Sequence, residues 1–302
     1  MSRASVPTAG EFAGAAAHRV DKTRVRRLAA RAALHYDAAA WLPRRVADAV
    51  MEHLQPVRID PERILDVGAG TGICARRLAR HYRSARVISL DCSIPMLRVG
   101  RRRGPRWFSK RSFACGDTEA LPVADASIDL LVSSLMLPSC SSPDAAFAEF
   151  HRVLKPGGLL MFSSLGPDTL RELRASWIAV DSRVHVHAFI DMHDLGDALL
   201  RAGLRDVVMD TERITAEYRD VATLMTELKQ LGVSNAARGC RAGLTTPAHL
   251  AAMAADYERQ RREAILPASF EVVFGHGWRA PSRSVDVSTD AMLQAARPSP
   301  KG

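Results

Sequence analysis

The residues best suited to chemistry lie in one stretch, Ile64-Leu65-Asp66-Val67-Gly68-Ala69-Gly70-Thr71-Gly72. Ile64 to Val67 is a short apolar, β-branched run that predicts a buried strand with a carboxylate in its end. Alternating glycines follow, and Ile73 to Ala79 predicts a helix. Strand, glycine turn and helix make a ligand cradle, because glycine permits the tight turn and a close approach of backbone to ligand. A dinucleotide fold seats a pyrophosphate on such a turn through G-x-G-x-x-G. Here the pattern is D-x-G-x-G-x-G, and its acid would repel a pyrophosphate but suits an ammonium group. S-adenosylmethionine (SAM), with an amine and a cationic sulfur, fits that requirement.

Two further carboxylates stand where neighbouring strands should end. Ala85 to Asp91 predicts a second strand, and Asp91 lies about twenty residues past the glycines, the spacing at which a carboxylate reaches ribose hydroxyls. Asp91 and Ser93 also suit capping of the helix predicted over 94–103; the glycine turn favours the ribose. Ser112 to Gly116 predicts a third strand, after which Asp117 can accept from an adenine amino group. Farther on, Asp168 or Thr169 suits the N-cap of a helix carrying Arg171 and Arg174. Three residues apart, these arginines share a face and can address one anion near the cofactor; the alternative is a solvated pair. Three histidines and three aspartates fall between His185 and Asp197, but none shows the helical spacing of metal ligands beside a catalytic acid. No metal is expected, and Asp191 or His193 capping a helix over 194–202, stopped by Gly203, accounts for most of them.

Positioning these residues requires a sheet. Ser127 to Ser134 predicts a fourth strand, followed by an irregular loop, Leu135 to Cys140, at the end where open α/β sheets place their ligands. Pro143 to Leu154 predicts a helix, Lys155-Pro156-Gly157-Gly158 a turn, and Leu159 to Ser164 a central, nearly all-apolar fifth strand. Alternating strands and helices predict a doubly wound sheet with right-handed crossovers. Upstream, residues 21–55 carry a helical period with a break at Pro43. Tyr36 and Trp41 there either pack on the core or form a lid over the cradle. Downstream, Val207 to Tyr218 predicts a strand pair or hairpin, 221–232 a helix, 233–246 a loop and 248–262 a helix. Phe270 to Trp278 alternates like a final edge strand. The domain is expected over 21–278, divided into an N-terminal helical lid (21–60), a core (61–165) and a substrate-side region (166–278), with disordered tails at 1–20 and 279–302.

The 302-residue chain is 47% hydrophobic and 25% charged, ordinary for a globular protein, with a formal net charge of +9. A basic run (Arg98, Arg101, Arg102, Arg103, Arg106, Lys110, Arg111) offers either a solvated face or a dock for an acidic partner. Apart from Trp107 and Phe108 no aromatics interleave with it, so nucleic acid is not expected. Cys74, Cys92, Cys115, Cys140 and Cys240 show no C-x-x-C spacing, as in a reducing cytoplasm. There is no membrane-length apolar run and no secretion signal, so a cytoplasmic protein without membrane contact is expected.

The order Asp66…Gly72, Asp91, Asp117, fourth strand, Lys155-Pro156-Gly157-Gly158 resembles class I SAM-dependent methyltransferases. Phe162 to Arg174, Phe189 to Leu199, Leu228-Lys229 with Gly232 and Asn235, Gly243-Leu244-Thr245 and Phe270 to Trp278 resemble the malonyl-[acyl-carrier protein] O-methyltransferases of biotin synthesis. The resemblance implies a mostly parallel seven-stranded Rossmann-like sheet with an N-terminal helical lid and a C-terminal helical insertion. It implies methyl transfer from SAM to the free carboxylate of a malonyl thioester, on acidic acyl-carrier protein or on coenzyme A. Asp66, Gly68, Ala69, Gly70, Gly72, Asp91, Cys92, Met96, Asp117, Thr118 and Ser133 are the expected cofactor-binding residues. Tyr36, Arg171 and Arg174 are expected to orient the substrate carboxylate, which as an anion needs no general base. Two departures stand out: Leu42-Pro43 replaces the usual Leu-Gln, and Ser133 to Ser139 lacks the usual glutamine and tryptophan. A second resemblance, to SAM-fold assembly factors of respiratory complex I that hydroxylate an arginine, and a methyltransferase for another small carboxylate are the alternatives.

Overall fold

Side-chain alternation along the strands decides how this chain folds. The computed structural model describes residues 20–103, 110–181, 183–186, 188–233 and 246–281. Among them β1 (Arg63–Val67), β2 (Arg86–Asp91), β3 (Arg111–Cys115), β4 (Ile128–Ser134), β5 (Leu154–Leu165), β6 (Leu204–Tyr218) and β7 (Leu266–Arg279) form one sheet, ordered β3-β2-β1-β4-β5-β7-β6. The pairs from β3 to β5 are parallel, and β7 runs antiparallel to both β5 and β6. Successive residues point to opposite faces. Ile64, Leu130, Val132, Leu159 and Met161 pack into one core layer. Leu65, Val67, Leu131, Leu160 and Phe162 pack into the other.

Helices cover both faces. α3 (Trp41–Leu54) and α4 (Ile73–His81) close the first layer, and α6 (Pro143–Val153) and α8 (Met192–Arg201) close the second. α1 (Lys22–Ala32) lies along α5 (Ile94–Arg102), with Ala32 and Ala33 against Met96, and α2 (Tyr36–Ala39) leads into α3. α7 (Arg171–Ile178), α9 (Val221–Gln230) and α10 (Pro247–Glu258) complete the C-terminal half.

Several elements differ from the sequence reading. Pro43 lies in the first turn of α3 and does not break it, because the amide it lacks has no intrahelical partner there. Lys155 to Gly158 is not a separate turn. It belongs to β5, whose register with β4 shifts between Ile128 and Leu130. Gly157 takes a positive φ, and a Cβ on Gly158 would come within 2.8 Å of the Lys155 carbonyl. The 207–218 segment is one long strand, β6, starting at Leu204 with an irregularity around Asp206. It forms the sheet edge, while β7, expected there, lies inside. β7 also takes in Arg279, which donates to the carbonyls of His151 and Arg152 and is no tail residue. α10 ends at Glu258, short of the expected 262. The loop predicted over 233–246 lies almost wholly outside the described residues, as do the predicted tails except Val20 and residues 279–281.

Candidate functional site

The glycine turn sits at the C-terminal ends of β1, β2 and β4. Gly68, Gly70 and Gly72 have φ of 73°, 53° and 77°, in the left-handed region that disfavours other residues. The Gly68 and Ala69 amides both donate to the Leu90 carbonyl (2.8 and 2.9 Å), and the Gly72 amide donates to the Ala69 carbonyl (2.7 Å). The Gly70 amide donates to Asp91 Oδ2 (2.8 Å). These four donors are committed within the protein, so the turn lacks the amide cluster that binds a pyrophosphate.

Beneath the turn, Asp66 is fully enclosed. It accepts from the Ala75 amide, and burial pushes its carboxyl up to about 7. Its Oδ2 is buried with no hydrogen-bond partner. A Cβ placed on Gly70 would meet nothing within 4 Å, so the turn opens onto free space. An orphaned acidic oxygen under an open glycine turn fits a ligand that brings an ammonium group, as SAM does.

Asp91, at the tip of β2, accepts through Oδ2 from Gly70 and through Oδ1 from the Ser93 amide (2.7 Å). Both bonds draw the turn and the start of α5 together, and burial nonetheless raises its carboxyl. Ser93 is the N-cap residue of α5 without a side-chain bond of its own. A cavity of about 500 Å³ opens beside Asp91, lined by Cys92, Pro95, Cys115, Asp117, Arg26 and Ala30. Burial and the Asp91 charge push the Cys92 thiol up to about 11. On the cavity rim, Lys22 Nζ contacts Asp117 (Oδ1 3.0 Å, Oδ2 2.8 Å) and Glu119 (2.8 Å), anchoring α1. Burial opposes ionisation of Asp117, but the bonds from Lys22 and from the Glu119 amide prevail and hold its carboxyl below the usual range. Met96 turns from the cavity into the α1–α5 contact. Ser133 is buried in β4 beside Val67, its hydroxyl unpartnered.

Two features escaped the sequence reading. Met136, in the loop after β4, lies on the turn: a Cβ on Gly68 would come 2.3 Å from Met136 Cγ. Thr118 Oγ1 and Cys140 Sγ approach its sulfur at 3.4 and 3.3 Å. Asp37, buried in α2, accepts from Thr71 Oγ1 at 2.5 Å and pairs with Arg103 at the end of α5. Next to it, Tyr36 packs with Ala32, Ala33 and Met96, and burial beside Asp91 and Asp37 raises its phenol. Thus α2 is pinned to the glycine turn. A local signal for Asp37 existed only in its neighbour, since Tyr36 was already marked.

The basic run also divides. Arg103 turns to Asp37, and Arg111 on β3 reaches inward, its guanidinium 2.9 Å from where a Gly72 Cβ would sit. Arg106, Trp107 and Phe108 lie outside the described residues.

Beyond β5, neither Asp168 nor Thr169 caps α7. Leu170 does so in a left-handed conformation (φ 53°), because its neighbours are tied to β7. The Asp168 amide donates to Glu271 Oε2 (2.9 Å), while Thr169 Oγ1 donates to the Glu271 carbonyl and accepts from the Glu271 amide (both 3.1 Å). Arg174 Nη1 and Nη2 donate to the Pro167 and Thr169 carbonyls (2.9 and 3.0 Å). Arg171 is more exposed, with Asp168 at 4.0 Å and Glu172 at 3.3 Å. Of the histidines and aspartates downstream, Asp191 caps α8, accepting from the His193 amide, and His187 lies outside the described residues. Among the described residues no three His, Cys, Asp or Glu side chains are grouped to hold a metal ion.

A family model described as "Methyltransferase domain" matches residues 65–162. A malonyl-[acyl-carrier protein] O-methyltransferase from Laribacter hongkongensis is 46% identical over 280 residues, covering 89% of this chain and 94% of that one. Its namesake from Gallionella capsiferriformans is 44% identical over 269 residues, covering 87% and 93%. The chain belongs to the malonyl-[acyl-carrier protein] O-methyltransferase family. That membership spans the C-terminal half as well as the methyltransferase core, and it does not favour the complex I assembly alternative. At the level of fold, the structure superposes on phosphoethanolamine N-methyltransferase 2 of Haemonchus contortus, solved with phosphomonomethylethanolamine and S-adenosylhomocysteine. The TM-score is 0.53 at 17% identity, covering 82% of this chain and 57% of that one. The family's expected sheet, with helices on both faces, is the one described above. No helix of the described residues is long and apolar enough to cross a membrane.

Proposed function

We propose that this protein transfers a methyl group from SAM to the free carboxylate of a malonyl thioester carried on acyl-carrier protein, giving the methyl ester. The observation that carries the reading is the likeness to malonyl-[acyl-carrier protein] O-methyltransferases across both halves of the domain. When bound, SAM supplies an electrophilic methyl on a cationic sulfur. The chain's own residues do the rest. Asp66 offers the ammonium group a buried acceptor, Asp91 keeps lone pairs free for ribose hydroxyls, and the Asp117 rim and the Cys92 wall receive the adenine. Gly68, Ala69, Gly70 and Gly72 shape the turn; Ser133 lies beside Val67, Thr118 against Met136, and Met96 in the α1–α5 contact.

A carboxylate is already the nucleophile at neutral pH, so the protein has to align it and exclude water. Tyr36, on the α2 lid, closes over the cofactor. Arg171 selects the carboxylate, and Arg174 fixes the 167–169 turn from which α7 starts. Methylation removes the substrate's negative charge, which suits passage to enzymes that elongate apolar acyl chains.

The test is incubation with methyl-labelled SAM and malonyl-carrier protein. A base-labile methyl ester on the carrier is expected; label that resists base, or no label, sinks the reading. Malonyl-coenzyme A in parallel shows whether the carrier is required.

A further inference from the structure

We infer that the outer faces of α1 and α5 together form the surface on which the acidic carrier protein docks, an inference that rests on the acceptor proposed above. The two helices pack through small and apolar residues, Ala29, Ala32 and Ala33 against Met96 and Val99. Helical periodicity then turns Arg24, Arg27 and Arg31 away from that seam at i, i+3 and i+7. On α5 the outward stripe is Ile94, Arg98 and Arg101, with Arg102 beside it.

None of these six arginines meets an acid among the described residues. Several other arginines around the ligand end of the sheet are neutralised: Arg103 by Asp37, Arg213 by Asp168, Arg219 by Asp220 and Arg261 by Glu258. Six arginines without an acid partner thus share one two-helix face at the ligand end of the sheet, from segments about seventy residues apart in sequence. Apolar side chains stand within it. Leu34, just past α1, is 77% exposed and Ile94 is 50% exposed, and Ile94 also lines the cavity beside Asp91. Apolar anchors inside a cationic rim, at the mouth of the site, match an acidic protein surface with its own apolar contacts. A nucleic acid would call for stacking aromatics, and neither helix exposes one.

The experiment compares Arg98→Glu/Arg101→Glu/Arg102→Glu with Arg27→Glu/Arg31→Glu, and with a control at the far end of the sheet, Arg80→Glu/Arg83→Glu. Melting temperature and SAM affinity verify that each variant is folded. Calorimetry reads binding of malonyl-carrier protein, and kinetics read kcat/KM for it and for the malonyl thioester of pantetheine. Both docking variants are expected to weaken carrier binding and kcat/KM by roughly tenfold or more, with the pantetheine thioester turned over unchanged and the control unaffected. Undiminished carrier binding, equal loss in the control, equal loss with the small thioester, or tighter binding of the wild type to anionic vesicles or duplex DNA than to carrier would each overturn the inference. If neither thioester is methylated, the proposed reaction fails, and calorimetry alone still decides the docking surface.

Discussion

Asp66 keeps its proton to a higher pH in the folded protein than in an unfolded chain, because burial lifts its carboxyl to about 7. Its contribution to stability therefore falls as pH rises from about 4 to about 7 and is level above that. Asp66→Asn is expected to flatten this part of the pH–melting curve of the ligand-free protein. Binding a cationic amine against Asp66 favours the carboxylate, so SAM should release a fraction of a proton at pH 7. Calorimetry in buffers of different ionisation enthalpy reads that release, and Asp66→Asn removes it. At Gly68, alanine adds a methyl 2.3 Å from Met136 Cγ on a backbone held at φ 73°; a loss of about 1–3 kcal/mol in unfolding free energy is expected from denaturant titration. Arg171→Lys should lower turnover while leaving SAM affinity in place. Arg174→Lys breaks two carbonyl bonds and should also lower the melting temperature; SAM affinity falling in step with turnover in both would place the carboxylate site elsewhere. Asp66 and the glycines were legible because strand, acid and turn are contiguous. Asp37 was not, since its partners Thr71 and Arg103 belong to other elements and only the fold brings them to it.

Among elements, those with a clean period were legible and those shaped by neighbours were not. β1, β2 and β4 have apolar runs that no helix could hide. At Pro43 the residue type suggested a break, but the first turn of α3 needs no amide there. β6 read as a hairpin because its exposed positions carry Arg, Asp and Glu in an irregular pattern, as an edge strand protected from stray pairing does. The α7 cap was misplaced because Asp168 and Thr169, good caps in isolation, are bound to Glu271 on β7. Thr169 is fully buried, and its hydroxyl both donates to and accepts from the Glu271 backbone. Thr169→Val should therefore cost about 1–3 kcal/mol in thermal or denaturant unfolding, and it should shift the start of α7 enough to reduce turnover.

For the whole molecule, the two ends of the sheet differ. Its C-terminal end gathers the glycine turn, Asp91, the cavity and α2, while Arg58, Arg80, Arg83 and Arg86 lie toward the other end, remote from that chemistry. Composition alone gave the net charge of +9; only packing of α1 on α5 shows where part of it collects. The position of β7 has a consequence for how the protein is made. β5 and β6 leave the ribosome before the strand that must lie between them, so their facing edges and the apolar layers behind them wait for Leu266 to Arg279. Phe270, Val272, Val273 and Phe274 enter the core only with that strand. A chain stopped after Glu258 should accumulate as aggregate in a solubility assay, whereas one stopped after Pro281 should be recovered soluble. Until Leu266 to Arg279 is synthesised, the β5 and β6 edges that it joins face no partner strand and stand open to stray pairing.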